Sequence, residues 1–171
     1  HHINSVYFGG GTPSLMPPSL VNMILTTVSN ITSISNNPEI TLEANPGSFE
    51  VAKFKDFKNA GINRVSIGVQ SLRQKQLEFL GRKHSVDQSK MAVTQAHNIF
   101  DRVSFDMIYT LPEQTLKMWE DELVEALTMA GDHLSLYQLK KQTICGNPVN
   151  IQTKFSLVQL YNLLENSVGI N

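Results

Sequence analysis

Short runs of alternating hydrophobic and polar residues recur roughly every 30 residues along this chain. Each run is rich in β-branched residues and precedes a loop rich in Gly, Pro, Asn or Asp, which is followed by a stretch with helical spacing. Strands and helices therefore alternate. The pattern predicts five strands, over residues 5–9, 39–44, 64–70, 102–109 and 133–139.

The intervening helices have recognisable ends. Ser48 is predicted to cap a helix that stops at Gly61. Ser85 and Gln88 form a capping box, and Thr115 is predicted to begin a third helix. Alternating strands and helices indicate a parallel sheet with right-handed crossovers, in a (β/α) barrel or a doubly wound sheet. A complete barrel takes about 250 residues, so this α/β chain is predicted to form a partial barrel.

Alternation within the strands predicts a polar interior. In the third predicted strand, Val65, Ile67 and Val69 alternate with small or polar residues, and the second and fourth strands show the same split. Covering helices need the apolar face, whereas a strand buried on both sides would be apolar throughout. The polar face is therefore assigned to the interior. It predicts a lumen that holds a polar ligand, and the alternative is an interior of satisfied polar groups and water.

Polar groups and glycines gather at the carboxyl ends of the predicted strands, where barrel sites are built. Three consecutive glycines exceed what a strand-to-helix turn needs, which favours a ligand against the backbone over a simple turn. Two carboxylates beside amides and glycine N–H groups suit a nucleoside or an amino acid. The residues at these ends are Gly9, Gly10, Gly11, Thr12, Glu43, Asn45, Gln70, Asp106, Tyr137 and Gln138.

Composition narrows the function classes. The 171 residues are 41% hydrophobic and 17% charged with a net charge of -1, which predicts one domain with a sizeable core. The chain has no basic run that would indicate a nucleic-acid groove, and no apolar stretch near the roughly 20 residues of a membrane span. Cys145 is the only cysteine, so the chain's own thiolates cannot form a disulfide framework or hold a cluster.

Six successive motifs resemble the radical S-adenosylmethionine proteins related to oxygen-independent coproporphyrinogen III oxidase, and most of all their haem chaperone branch. The motifs are "YFGGGTPSLM", "TLEANPGS", "GINRVSIGVQSL", "LGRKHS", "FDMIYTLPEQT" and "LSLYQL", within residues 5–139. The resemblance implies a partial (β/α)6 radical S-adenosylmethionine barrel over residues 1–139. It also implies that the cofactor S-adenosylmethionine is bound by Gly10, Gly11, Thr12, Glu43, Gln70, Arg82 and Asp106.

The chain departs from this family in three places. The family's 4Fe-4S cluster is held by a Cys-x-x-x-Cys-x-x-Cys loop, and this sequence begins downstream of that loop. The family's "IYGLP" has Thr110 in place of glycine, which predicts a shifted loop. Residues 140–171 form a divergent tail with one predicted helix over residues 155–166. We therefore expect a fragment without the first βα unit and without the family's C-terminal domain.

The resemblance implies a haem chaperone-like protein that binds S-adenosylmethionine and, at full length, a 4Fe-4S cluster and haem or a porphyrin. A haem-accepting protein is an implied partner, and mitochondria or cytoplasm is the implied location. One alternative is an oxidative decarboxylase of the coproporphyrinogen III oxidase type, and another is a non-catalytic fragment. The chain alone is expected to be inactive. His84 is predicted to be a solvated loop residue, and Trp119 a packing residue, in the core or exposed, rather than a cofactor contact.

Overall fold

The structure is a computed structural model that describes residues 2–131 and 133–139 and the short strands within residues 143–148. Its strands are β1 (His2–Phe8), β2 (Ser33–Ala44), β3 (Arg64–Gln70), β4 (Arg102–Tyr109), β5 (Ser135–Gln138), β6 (Thr143–Ile144) and β7 (Asn147–Pro148). Its helices are α1 (Pro18–Ile31), α2 (Ser48–Val51), α3 (Phe54–Asn59), α4 (Gln74–Phe79), α5 (Val86–Ile99) and α6 (Leu116–Met129). A short 3-10 helix covers Pro13–Leu15.

The first five strands form one parallel sheet in the order β1-β2-β3-β4-β5, so each strand pairs with its neighbour in the chain. Helices connect these successive strands, as parallel pairing requires. This half-barrel confirms the predicted partial α/β barrel. Strands β6 and β7 form a separate antiparallel pair. The predicted helix over residues 155–166 lies outside the described residues.

The strand predictions were accurate in the centre of the sheet and less accurate at its edges. Strands β3 and β4 have the predicted bounds, whereas β2 begins at Ser33 rather than at residue 39. The early part of β2 was missed because Asn36, Asn37 and Pro38 are typical of a loop. Its pairing with β1 shifts at this segment, where Ile3 pairs with Ile34 but Ser5 pairs with residue 39. The irregular register allows loop-forming residues within a strand.

Helix caps largely follow the sequence signals. The Ser85 side chain accepts from the Gln88 N–H and the Gln88 side chain accepts from the Ser85 N–H, which confirms the capping box. Thr115 likewise accepts from the Met118 N–H at the start of α6. The single helix predicted after residue 48 was wrong, because a turn at residues 52–53 divides it into α2 and α3.

The hydrophobic core lies between the sheet and the helices that cover it. Leu42, Val65 and Phe105, from three neighbouring strands, are fully buried there, and Trp119 from α6 is also fully buried. The opposite face of the strands carries Thr41, Ser66 and Ser104, so the alternation correctly separated the core face from a polar interior. No helix in the described part of the chain is long and apolar enough to cross a membrane.

Candidate functional site

A polar pocket opens at the carboxyl ends of the first four strands. It encloses about 450 Å³ of empty space, including its open mouth. Its position is the one at which parallel barrels build their sites. Its lining consists of Gly11, Thr12, Pro13, Glu43, Ala44, Asn45, Ser66, Gly68, Gln70 and Asp106.

Most of the predicted site residues meet in this pocket. Gly11, Thr12, Glu43, Gln70 and Asp106 line it directly. The neighbouring Gly10 belongs to the same loop, and its N–H contacts one of the pocket's carboxylates. The remaining predicted residue follows α4 and is not part of the lining. This residue, Arg82, is exposed in the segment between α4 and α5.

The Glu43 side chain links the end of β2 to β1 and to the glycine loop that follows β1. Its Oε1 accepts a hydrogen bond from the Tyr7 hydroxyl at 2.9 Å, and its Oε2 accepts from the Gly10 N–H at 3.0 Å. Burial of the hydroxyl end and the bond to Glu43 raise the pKa of Tyr7 to about 12, although 57% of this residue is exposed. Tyr7 was missed by the sequence analysis, because its partner lies 36 residues away.

The three consecutive glycines, residues 9–11, are not all required for the same structural reason. Gly10 and Gly11 have φ angles of +80° and +60°, and a Cβ on either would meet nothing within 4 Å. Their turn therefore needs glycine for its backbone conformation. A Cβ on Gly9 would lie 2.7 Å from a ring carbon of Tyr7. The turn explanation, which the sequence favours less than a ligand, thus accounts for two of the glycines without a ligand.

A lysine from the next unit holds the segment that follows the glycines. The Lys53 ammonium donates to the carbonyl oxygens of Ser14, Leu15 and Met16 at 3.2, 3.3 and 3.2 Å. These carbonyls belong to the 3-10 helix and the residue that ends it. Their convergence on one cation ties the glycine loop to the start of α3. No sequence signal identified Lys53, since its three contacts span 37 to 39 residues.

Asp106 is the second carboxylate of the pocket. Ser66 Oγ donates to its Oδ1 at 3.4 Å, and Ser135 on β5 also bonds to it. Burial raises the pKa of Asp106, and the negative charge of Glu43 raises it further, while the two serine hydroxyls act in the opposite direction. Arg64, deeper in the lumen, also lowers this pKa. The site therefore keeps two carboxylates close together in a partly buried space.

A hydrogen-bonded network fills the lumen below this pocket. Arg64 donates to Thr41 Oγ1 at 3.3 Å and to Ser104 Oγ at 2.9 Å. Ser104 Oγ donates in turn to Ser66 Oγ at 3.2 Å. Both interior arrangements considered from the sequence are therefore present: the lower lumen contains satisfied polar groups, and the upper lumen is open as a pocket.

Gln70 reaches the pocket through a strained turn. Its φ is +70°, and the Ser71 N–H donates to the Val69 carbonyl at 2.9 Å, which defines a γ-turn centred on Gln70. The turn directs the Gln70 amide back over Gly68, where a Cβ would lie 3.0 Å from Nε2. Pairing with β4 is irregular here, between Ile67 and Gln70. Strand alternation alone would not have predicted this geometry.

His84 was predicted to be solvated, and that prediction was wrong. The residue is buried, and its Nε2 lies 3.2 Å from the Val69 carbonyl at the same γ-turn. Burial lowers the pKa of His84, and the positive charge of Arg82 lowers it further. A neutral ring with its proton on Nε2 therefore donates to the turn. The flanking helix stop and cap had indicated a loop, but not the burial that the long-range fold imposes.

Thr110 shows how the loop after β4 accommodates its departure from glycine. Its φ is +61°, so the threonine adopts a left-handed conformation that favours glycine. Thr110 Oγ1 also donates to the Leu139 carbonyl at 3.2 Å, beside the end of β5. Thr110 is therefore a strained residue that its neighbours hold in place, and the predicted shift of the loop stays a prediction.

Replacing Gly68 with Ala is expected to displace the Gln70 amide from the pocket. The new Cβ would lie 3.0 Å from Nε2, which is the end of a flexible side chain, so unfolding free energy should change by less than about 1 kcal/mol. For S-adenosylmethionine, the cofactor that the motif resemblance implies, affinity should fall roughly three- to tenfold, the effect of one hydrogen bond. Calorimetric titration and thermal unfolding measure both quantities. Gly131→Ala, whose Cβ would lie 3.1 Å from a ring carbon of His97 and 4.0 Å from the Val103 carbonyl oxygen, is the matched control and should bind normally.

Together, a parallel half-barrel and a polar pocket at the carboxyl ends of its strands define a class of α/β barrel proteins that bind polar ligands at this edge. The profile of the Radical SAM superfamily matches residues 1–126. The chain belongs to the Radical SAM superfamily, which confirms the family predicted from its motifs.

Similar proteins make the relationship more specific. The chain is 47% identical over 138 residues to radical S-adenosyl methionine domain-containing protein 1, mitochondrial, of Danio rerio, covering 80% of this chain and 31% of that protein. It is 38% identical over 138 residues to the heme chaperone HemW of Escherichia coli, covering 80% of this chain and 36% of that protein. The chain thus spans about a third of the length of these relatives.

The fold also matches a solved structure, that of coproporphyrinogen III oxidase (HemN) from Escherichia coli. The TM-score is 0.79 at 21% sequence identity, and the match covers 98% of this chain and 40% of that chain. At this identity the likeness concerns the fold. It confirms a partial barrel of the radical S-adenosylmethionine type.

The superfamily implies two bound groups, S-adenosylmethionine and a 4Fe-4S cluster, and the polar residues of the pocket fit the first of them. Glu43, Asp106 and Gln70 with the glycine amides suit S-adenosylmethionine, whose ribose hydroxyls and ammonium donate and whose carboxylate accepts. A 4Fe-4S cluster is different, because it needs several thiolates and Cys145 is the only cysteine. In the part of the chain that the structure describes, no three His, Cys, Asp or Glu side chains converge as metal ligands.

Proposed function

We propose that this chain is the S-adenosylmethionine-binding part of a radical S-adenosylmethionine haem chaperone-like protein. The observation that carries the proposal is the pair of carboxylates, Glu43 and Asp106, facing a pocket beside the glycine loop. Glu43 holds that loop through the Gly10 N–H and keeps further lone pairs for a ligand, since a carboxylate accepts about four hydrogen bonds.

Each group of the pocket has a role in this proposal. Glu43 and Asp106 accept from the ribose hydroxyls and the ammonium group, while Gln70 contributes an amide that both donates and accepts. Gly11 and Thr12 bring backbone against the amino acid end of the ligand. Arg82 lies outside the lining, exposed after α4, and its proposed role is to reach the ligand's carboxylate with its guanidinium.

The activity that we propose for the whole protein is inferred from its similarity to known proteins. We infer from the name of the bacterial heme chaperone that the whole protein binds haem and passes it to an acceptor protein, with thiolates from outside these 171 residues holding a 4Fe-4S cluster. Oxidative decarboxylation of a porphyrinogen is the alternative function, but the likeness to coproporphyrinogen III oxidase concerns the fold alone. Mitochondria or cytoplasm is the proposed location, by analogy with the mitochondrial and bacterial relatives.

Titration of the isotopically labelled chain with S-adenosylmethionine tests the proposal. The backbone amide signals of Gly10, Gly11, Glu43 and Gln70 should shift together and saturate, because these residues surround the pocket. Adenosine and methionine, added separately, should each shift a subset of the same signals. Shifts confined to other surfaces, or none at saturating ligand, would contradict the proposal.

A further inference from the structure

The middle of α6 carries a fully buried carboxylate, Glu122, outside the pocket. Its Oε1 accepts from Ser71 Oγ at 2.5 Å and from the Leu72 N–H at 2.6 Å. Its Oε2 accepts from Gln114 Nε2 at 3.3 Å. Three donors from two other segments thus converge on this one side chain.

These contacts join the loops that leave β3 and β4. Ser71 and Leu72 follow β3, while Gln114 Oε1 accepts from the Leu111 N–H at 3.2 Å in the loop that follows β4. Burial raises the pKa of Glu122, and its hydrogen-bond donors only partly offset this effect. A buried carboxylate is a costly way to gain stability, because an apolar side chain of similar size often serves as well or better. Its presence here therefore points to a geometric role.

All the positive φ angles of non-glycine residues in the described part of the chain lie in these two loops or directly before them. Gln70, Thr110 and Glu113 have φ angles of +70°, +61° and +62°. Gln70 directly precedes Ser71, and the other two flank the Leu111–Pro112 pair. Such conformations persist only where the surrounding structure holds them. Glu122 is the side chain that bonds to both loops.

We propose that Glu122 is a positioning residue, which holds the γ-turn after β3 and so aims the Gln70 amide into the pocket. The link is short: Glu122 bonds to Ser71, and the Ser71 N–H closes the turn on the Val69 carbonyl. His84 Nε2 bonds to the same carbonyl. The role of Gln70 as a ligand contact rests on the proposed function, whereas the position of its amide does not.

Two variants of Glu122 test the inference. Glu122→Leu removes all three hydrogen bonds. Glu122→Gln keeps an oxygen that can accept from Ser71 and Leu72, but it places its own amide donor against Gln114 Nε2, which is also a donor. Affinity for S-adenosylmethionine should fall roughly three- to tenfold in the Leu variant and less in the Gln variant. In the ligand-free protein, the side-chain amide signals of Gln70 should move to solvent-exposed positions in the Leu variant. Both measurements are made well below the unfolding temperature of each variant.

Two controls on the same helix separate positioning from stability. Leu123→Ala removes a fully buried core side chain but none of the Glu122 hydrogen bonds, and Glu125→Gln removes two partly exposed ion pairs, with Arg73 and Lys90. Both should retain normal affinity and a normal Gln70 signal. Equal loss of affinity in Leu123→Ala, or an unchanged Gln70 signal in Glu122→Leu, would overturn the inference. Absence of binding by the unaltered chain would overturn the proposed function. The Gln70 signal would still test the positioning role, because it is measured in the ligand-free protein. Should the Leu variant fail to fold, a Gln70 signal and affinity in Glu122→Gln equal to those of the unaltered chain would overturn the inference.

Discussion

Glu43→Gln is expected to weaken S-adenosylmethionine binding roughly ten- to more than a hundredfold, a loss of 1.5–3 kcal/mol for charge-assisted hydrogen bonds. The substitution keeps the size of the side chain but removes its charge. In the unaltered chain, the Tyr7 hydroxyl and the Gly10 N–H bond to separate oxygens of Glu43. The glutamine leaves one acceptor oxygen for these two donors. Calorimetric titration, or ligand titration followed by NMR where binding is weak, measures the change.

Glu39→Gln is the matched control for this experiment. Glu39 lies four residues earlier on the same strand, where its carboxylate pairs with Arg102 at 2.7 Å and lies 4.0 Å from Arg64 Nε. Its replacement should leave S-adenosylmethionine affinity unchanged. If Glu43→Gln bound as tightly as the unaltered chain, Glu43 would be only a structural link between β2 and the glycine loop.

Asp106→Asn is expected to stabilise the folded chain near neutral pH and to weaken S-adenosylmethionine binding about ten- to a hundredfold. Burial raises the pKa of Asp106 in the folded state above its ordinary value. The contribution of Asp106 to stability is therefore most favourable below its ordinary pKa and is lost as pH rises through the raised pKa, because the buried group must then ionise. Asn does not ionise, so the stability advantage of the variant should grow with pH. Thermal unfolding at about pH 4 and about pH 8 measures this difference.

Asp101→Asn provides the corresponding surface control. Asp101 precedes β4 with a side chain that is 73% exposed, and it pairs with Lys58. Its replacement should change neither binding nor the pH dependence of stability appreciably. An Asp106→Asn protein that is less stable than the unaltered chain at both pH values would show that the bonds from Ser66 and Ser135 outweigh the burial of the charge.

The sequence was sufficient to predict the fold and most of the pocket. Strand alternation depends on local geometry, in which successive side chains point to opposite faces, so β3 and β4 could be bounded and the polar face recognised. Parallel strands end at a common edge, which is why Gly11, Thr12 and Glu43 were expected to meet. Order and spacing of the motifs identified the superfamily, which the profile over residues 1–126 confirms.

Only the tertiary structure determined how the pocket is held. Tyr7, Lys53 and Glu122 bind partners between 8 and 51 residues away, and no local pattern specifies such pairings. The γ-turn at Gln70 is equally invisible in the sequence, because glutamine has no preference for a positive φ. His84 was misjudged for the same reason: local signals marked a loop, while burial depends on what packs over it. Periodicity thus determined which side chains face the lumen, and long-range hydrogen bonds decided where each of them points.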